Sequence, residues 1–298
     1  MEKIEIKNQA GERKIFTLDY EHGKGEESLE EVRGFTQNFN INLTYERSPF
    51  QQGATTVAMR TSVRPLSFVL NILRRTKQEV DLRVRDIVTF LNPYEGELEV
   101  TYDNGTRRRS INAYYREHSV VDENSSTGYA ALAIELVADE ALFKDSEDKV
   151  INLGDAGGSF AIPFTPPFTL GLSQIETIVN NTGDYHYPVE IKFFGEVSNP
   201  KIVRYFYENG SDTVVDTAKL EFENLVIPEN SFVRINTKRG EEEVTLVDSL
   251  GNEENINRYL SPDSTFFQIF VGKNRISLET TTGNPATEIK YRQKYITA

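Results

Sequence analysis

The chain contains no cysteine and no tryptophan, and only three histidines. Without cysteine there is no disulfide framework, no thiol nucleophile, no cysteine-ligated zinc and no iron–sulfur cluster. His22, His118 and His186 lie far apart and form no His-x-His or His-x-x-x-His pair, so a histidine-built metal site is not expected. Long apolar runs are also missing. The stretch 129–138 is interrupted by Glu135 and is about half the ~20 residues a membrane-crossing helix needs, so a soluble chain without membrane insertion is expected. The opening Met1-Glu2-Lys3-Ile4-Glu5-Ile6 alternates charge with isoleucine and has no apolar signal core, so nothing marks it for secretion.

What is present is 298 residues with 14 Tyr, 18 Phe and a net charge of −13. That length exceeds the usual roughly 100–200 residues of one domain and suggests two. The acidic balance keeps the chain soluble and argues against a general nucleic-acid binder. The charge is uneven, however: residues 60–116 hold eleven basic side chains against seven acidic ones, a local +4 that leaves −17 on the rest. Such a segment can mark a surface that meets an acidic partner, another copy of the chain included, or its charges can simply decorate solvated faces.

The dominant period is two. Ala130, Leu132, Ile134, Leu136 and Ala138 fall on one side of an extended segment, as do Leu98, Val100 and Tyr102 before Asp103-Asn104-Gly105. Asn-Gly supplies the positive φ angles of a tight turn, so residues 97–115 read as a hairpin whose return strand carries Arg107, Arg108 and Arg109. Further hairpins are expected around Glu208-Asn209-Gly210, Lys238-Arg239-Gly240 and Gly272-Lys273-Asn274. One helix stands out. Thr76-Lys77-Gln78-Glu79 fits a capping box, Val80, Val84, Ile87, Val88 and Leu91 share a face, and Asn92-Pro93 ends it. A weaker box, Ser28-Leu29-Glu30-Glu31, allows at most a short helical turn before Gly34. Glycine and proline gather after the acidic run 139–148, in Gly154-Asp155-Ala156-Gly157-Gly158-Ser159 and Ile162-Pro163-Phe164-Thr165-Pro166-Pro167, and place an interdomain passage near residue 150. The reading is a mainly β protein with domains 1–150 and 151–298, the second an antiparallel β-sandwich.

Catalytic patterns are missing. The glycine-rich stretch 154–159 lacks the lysine and spacing of a phosphate loop, and no Gly-x-Ser-x-Gly elbow occurs. His118 and His186 read as polar residues at a strand end and in a turn. Glu241-Glu242-Glu243 and Glu253-Glu254 leave a carboxylate pair for glycan cleavage open by counting alone, but tryptophan, the best sugar platform, is absent. No calcium loop is legible. No catalytic, cofactor-binding or metal-binding residue is assigned, and no enzyme activity or cofactor is expected.

The order of segments carries more. Asn180-Asn181-Thr182-Gly183-Asp184, then Pro188-Val189-Glu190-Ile191 and Gly195, then Asn199-Pro200, resembles a strand pair of the siphophage distal tail protein (Dit) family. Phe267-Gln268-Ile269, Gly272-Lys273-Asn274-Arg275-Ile276 and the closing Tyr291-Arg292-Gln293-Lys294-Tyr295 are similar to that family's last strands. Phe90-Leu91-Asn92-Pro93, Asn104-Gly105 and Ala138-Asp139-Glu140-Ala141-Leu142-Phe143 follow its order in the first half, with Ala141 where the family has proline. The resemblance covers roughly residues 60–298 and rests on the collinear set. It implies an N-terminal tail-tube-like β-sandwich or barrel with one helix, assembling as a homohexameric ring, and a C-terminal galectin-like antiparallel β-sandwich. Its implied partners are the tail tube protein, the tail-associated hub protein and receptor-binding proteins, with DNA only passing through the channel. The implied location is the virion tail tip, after synthesis in the host bacterial cytoplasm. Other expectations are a different baseplate or tail-fibre role, or a carbohydrate-binding module for cell-wall glycans using Tyr185, Tyr187, Tyr205 or Tyr207. Arg107, Arg108 and Arg109 are the first candidates for a subunit contact, because a ring needs two complementary patches per subunit.

Overall fold

A computed structural model describes residues 2–17, 27–37, 41–124, 128–153, 175–208, 210–281 and 286–298. The chain divides into two compact units, Met1–Ser146 together with Tyr295–Ala298, and Glu147–Lys294.

In the first unit the strands follow the order Arg13–Thr17, Lys3–Lys7, Leu98–Asp103, Arg108–Asn124, Tyr129–Ala138, Arg64–Leu73 and Glu27–Arg33, every neighbouring pair antiparallel. Period-two alternation explains its core. Ile4 and Ile6, Leu98, Val100 and Tyr102, Leu66, Phe68, Leu70 and Ile72, and Ala130 to Ala138 at every second position are all buried.

The only α-helix among the described residues, Lys77–Phe90, is the expected one. The Thr76 hydroxyl accepts from the Glu79 amide, and the Glu79 carboxylate accepts from the Thr76 amide, closing the capping box. Val80, Ile87 and Phe90, with Leu91 behind them, enter the core of the first unit. Each such side chain stabilises by roughly 1.5–3 kcal/mol. The second capping-box pattern does not make a turn of helix. Glu27–Arg33 is a strand paired with Arg64–Leu73, because pairing and burial of Leu29 outweigh a local preference worth about 1 kcal/mol.

The hairpin at Asn104-Gly105 is present but looser than a two-residue turn. Pairing ends at Asp103 opposite Arg108, and only Gly105 has positive φ, at 86°. The Asn104 Oδ1 accepts from the amides of Thr106 and Arg107, so asparagine closes this loop through its side chain.

The chain end returns to the first unit. Arg64, 1% exposed, donates to the carbonyls of Ala141 (2.7 Å), Gln37 (2.6 Å) and Ile296 (2.7 Å), and its guanidinium stacks over Phe143. Burial alone lowers its pKa to about 10, so it stays charged at neutral pH. Arg109 donates to the Thr297 carbonyl and lies 3.4 Å above the Tyr295 ring, while the Ala298 amide donates to Phe35 O.

The second unit has a six-stranded antiparallel sheet, ordered Lys149–Leu153, Ala286–Tyr291, Val189–Phe194, Phe232–Asn236, Glu243–Val247 and Glu253–Asn255. A four-stranded antiparallel sheet is ordered Ile175–Asn181, Gly272–Glu279, Lys201–Tyr207 and Val214–Glu221. Ile191, Phe193, Val233, Ile235 and Ile289 from the first sheet meet Val179, Ile202, Leu220, Ile276 and Leu278 from the second in one core, which makes a β-sandwich. Lys201–Tyr207 pairs antiparallel with Val214–Glu221, and Phe232–Asn236 with Glu243–Val247, as the two further expected hairpins require, with Asn209 itself outside the described residues. The one expected at Gly272-Lys273-Asn274 is not formed. Gly272 starts a strand that pairs elsewhere, and residues 267–271 run irregularly, with Ile269 bridging Tyr187. Asn274 accounts for the difference: its fully buried side chain binds Phe270 N, Phe270 O and Gly272 O, taking backbone groups a hairpin would have used. Of the expected interdomain passage, Asn152 and Leu153 belong to a strand, and residues 154–174 lie outside the described residues.

Candidate assembly surface

The strands Ile41–Glu46 and Thr55–Thr61 form a two-stranded antiparallel ribbon, and among the described residues no further strand joins it. Leu43 stands opposite Met59 and Ile41 opposite Thr61, so Ile41, Leu43 and Met59 share one face; a register shift follows Thr44, with Tyr45 opposite Thr56 and Val57 the extra residue beside it. The other face carries Asn42, Thr44 and Arg60. All five large apolar side chains are between 42% and 68% exposed, and Phe50 in the connecting loop is fully exposed. An isolated two-stranded ribbon is marginal in water, and a contiguous apolar face on a surface marks a contact site. Sequence reasoning passed over this ribbon. Its signal was there, in Ile41/Leu43/Tyr45 and Val57/Met59 at period two around Gln51-Gln52-Gly53.

A second open surface is the edge of Arg108–Asn124. Beyond Ala113 this strand pairs only with Tyr129–Ala138 among the described residues, and two bulges, at Tyr115/Glu117 and Val120/Asp122, break its register. Bulges and charge blunt an edge against unwanted pairing. His118 lies within this strand and not at its end, exposed, with the Tyr115 hydroxyl on its Nδ1. Burial, with Glu117 beside it, pushes the Tyr115 phenol up.

The basic segment is largely engaged inside its own unit. Arg64 is buried as described. Arg83 and Arg74 both hold the Glu27 carboxylate, and Arg83 with Lys14 holds Asp86. Burial raises the Glu27 pKa, but the two guanidiniums outweigh it and leave the carboxyl below its ordinary value. Arg108 donates to Glu5 at 2.9 Å, and Arg109 holds the chain end. Of the three hairpin arginines, Arg107 and Arg108 are exposed and Arg109 is half-buried.

In the second unit the four tyrosines do not form a platform together. Tyr187 is fully buried and stacks on Tyr291, with centroids 5.0 Å apart. Tyr207 is buried beneath Lys273, and Tyr205 lies under Arg275. Tyr185 alone is well exposed, against His186 at 3.8 Å. Burial, then Lys294 and Arg239, lowers the His186 pKa, so its imidazole is neutral at pH 7. His22 lies outside the described residues.

No protein-family model and no curated protein sequence matches the chain. Among solved structures, the crystal structure of the phage SPP1 Dit protein, described as a paradigm of hub adsorption apparatus in phages infecting Gram-positive bacteria, aligns over 98% of this chain and 99% of that one, with a TM-score of 0.66 at 12% identity. The chain has the Dit fold. Chains of the phage P2 baseplate in its activated conformation, one structure with Ca and one with Sr, align end to end with a TM-score of 0.54, also at 12% identity. The likeness to the Dit fold takes in both units and so reaches the first sixty residues, which carry none of the collinear motifs.

Proposed function

We propose that this chain is a non-enzymatic structural component of a phage tail tip, a homohexameric ring joining the tail tube to the baseplate hub. Domain 1–150 forms the ring and is tail-tube-like. Domain 151–298 is galectin-like and faces receptor-binding proteins, and DNA passes through the channel. The observation that carries this reading is the likeness to the SPP1 Dit protein over essentially the whole of both chains. The amphipathic ribbon supports it, since a head-to-tail ring needs a projecting patch that the next copy covers.

The energetics fit an assembly-dependent ring. The five apolar side chains of the ribbon are already about half covered, so completing their burial yields roughly 1 kcal/mol each, or about 5 kcal/mol per contact. Association costs about 4–15 kcal/mol, so one such contact is weak alone and gains by closure or by a template. The test is imaging of purified chain and of virions, with molar mass by light scattering. Six copies around a hole, between tube and tip, are expected. A trimer, or a position on the capsid, overturns the proposal.

A further inference from the structure

The sandwich of the second unit is apolar along most of its inner face and charged at one end. On the four-stranded sheet the inward pairs run Ile202 with Leu220, then Arg204 with Ala218, then Phe206 with Asp216. The first pair is fully buried core, and one step on an arginine takes a core position. A cavity of about 390 Å³ opens there. Arg204 and Asp216 line it from one sheet, Arg239 and Glu242 from the turn after Phe232–Asn236 of the other, and Gln268 and Phe270 from the irregular segment between them. Its volume falls in the range of about 300–1,000 Å³ typical of ligand pockets.

Arg204 is only 2% exposed. Its Nη2 donates to Asp216 at 2.6 Å and its guanidinium lies 4.3 Å from the Phe270 ring centroid, but Nε and Nη1 are buried with no acceptor among the described residues. Those atoms carry three N–H groups. A sequence selected only to fill the sandwich would place an apolar side chain here, since a buried charge with unmet donors costs more than it contributes. Asp216, the anion that holds Arg204, is half exposed at the cavity rim, where an entering anion can take its place. Around that cation the walls offer an aromatic ring, an amide with donor and acceptor, and a carboxylate, the partners that a ring bearing hydroxyl groups uses.

We infer that this cavity binds a small polyhydroxylated anion, a sugar carboxylate or a sugar phosphate, with its anionic group on Arg204 and its ring against Phe270. Guanidinium suits both anions through charge-assisted, planar hydrogen bonding. The inference stands apart from the ring proposal and uses none of its surfaces.

The test is calorimetric titration of the full chain with glucuronate, glucose 6-phosphate and neutral glucose. One of the two anions is expected to bind saturably at a single site and more tightly than glucose, and the preferred arm identifies the anionic group. Arg204→Met should lose at least about thirtyfold in affinity while keeping or raising the melting temperature. Asp216→Asn, which removes the competing carboxylate, should tighten binding several-fold, and Arg239→Gln should weaken it. Absence of saturable binding by either anion up to about 10 mM overturns the inference, as does wild-type affinity in a folded Arg204→Met. Should Arg204→Met not fold, unchanged affinity in both Asp216→Asn and Arg239→Gln overturns it.

Discussion

Replacing Arg64 with alanine should be among the most damaging single changes in the first unit. The guanidinium is 1% exposed and makes charged hydrogen bonds of 2.6–2.7 Å to three carbonyls distant in sequence, in Gln37, Ala141 and Ile296. A hydrogen bond to a charged group contributes about 1.5–3 kcal/mol, so three bring the loss to roughly 4–9 kcal/mol. Removing a buried charge returns part of that, and water entering the vacated volume returns more. The expected net destabilisation is therefore about 4 kcal/mol, at the upper end for point substitutions. Arg64→Lys should recover only a fraction, because a compact ammonium replaces a planar fork spanning three acceptors.

Two measurements check this. Urea unfolding of the wild type and Arg64→Ala gives the free-energy difference, and hydrogen exchange on the C-terminal peptide reports whether residues 295–298 are released. The Ala298 amide, bonded to Phe35 O at 2.9 Å, should lose protection. A change under about 1 kcal/mol together with unaltered C-terminal exchange would refute the view that Arg64 fastens the chain end.

Acid should act through Glu27. Its folded pKa lies below the ordinary carboxyl value, so its contribution is fully present above that ordinary value and is lost as pH falls through the folded one. Glu27→Gln should thus cost about 2 kcal/mol at pH 7, with the gap to wild type closing as pH falls through the folded Glu27 value in a series of denaturation curves. On the ribbon, Met59→Glu should abolish self-association on light scattering while shifting monomer stability by less than about 0.5 kcal/mol, since Met59 is 68% exposed. Thr76→Ala should cost about 1 kcal/mol by removing the hydroxyl that caps the helix, measured by thermal unfolding. Raising salt should leave ring formation intact or favour it, as an apolar contact requires, whereas an arginine-led contact would weaken.

Local signals were legible where local chemistry decides the outcome. The helix start at Thr76, its stop at Asn92-Pro93 and the buried face of residues 130–138 each follow from spacing alone. Ser28-Leu29-Glu30-Glu31 misled because its competitor, the strand Arg64–Leu73, is far away in sequence. Gly272-Lys273-Asn274 misled because Asn274 spends its side chain on backbone that a hairpin would pair. The asparagines of the collinear motifs share this work. Asn181 binds Tyr185 O, Ile269 O and Gly183 N, and Asn199, at φ 48°, accepts from Leu225 N. Gly183 is small for a reason the motif does not state: a Cβ there would lie 2.5 Å from Lys294 O. The cavity at Arg204 was illegible, since one arginine in a strand looks like any solvated cation until the register turns it inward.

The local +4 of residues 60–116 changes meaning once its members are placed. Its cations are drawn mostly to internal tasks: Arg64 and Arg109 fasten the chain end, Arg74 and Arg83 hold Glu27, and Arg108 pairs with Glu5. A sequence sum counts these guanidiniums as available to a partner, although a buried or paired charge projects little field into solvent. The apolar ribbon is the reverse case. Its side chains pass for ordinary strand core in the sequence, yet the fold leaves them uncovered. Exposed apolar surface is retained against solubility only where something covers it, so the ribbon, and not the charge asymmetry, is the stronger ground for expecting a neighbouring copy.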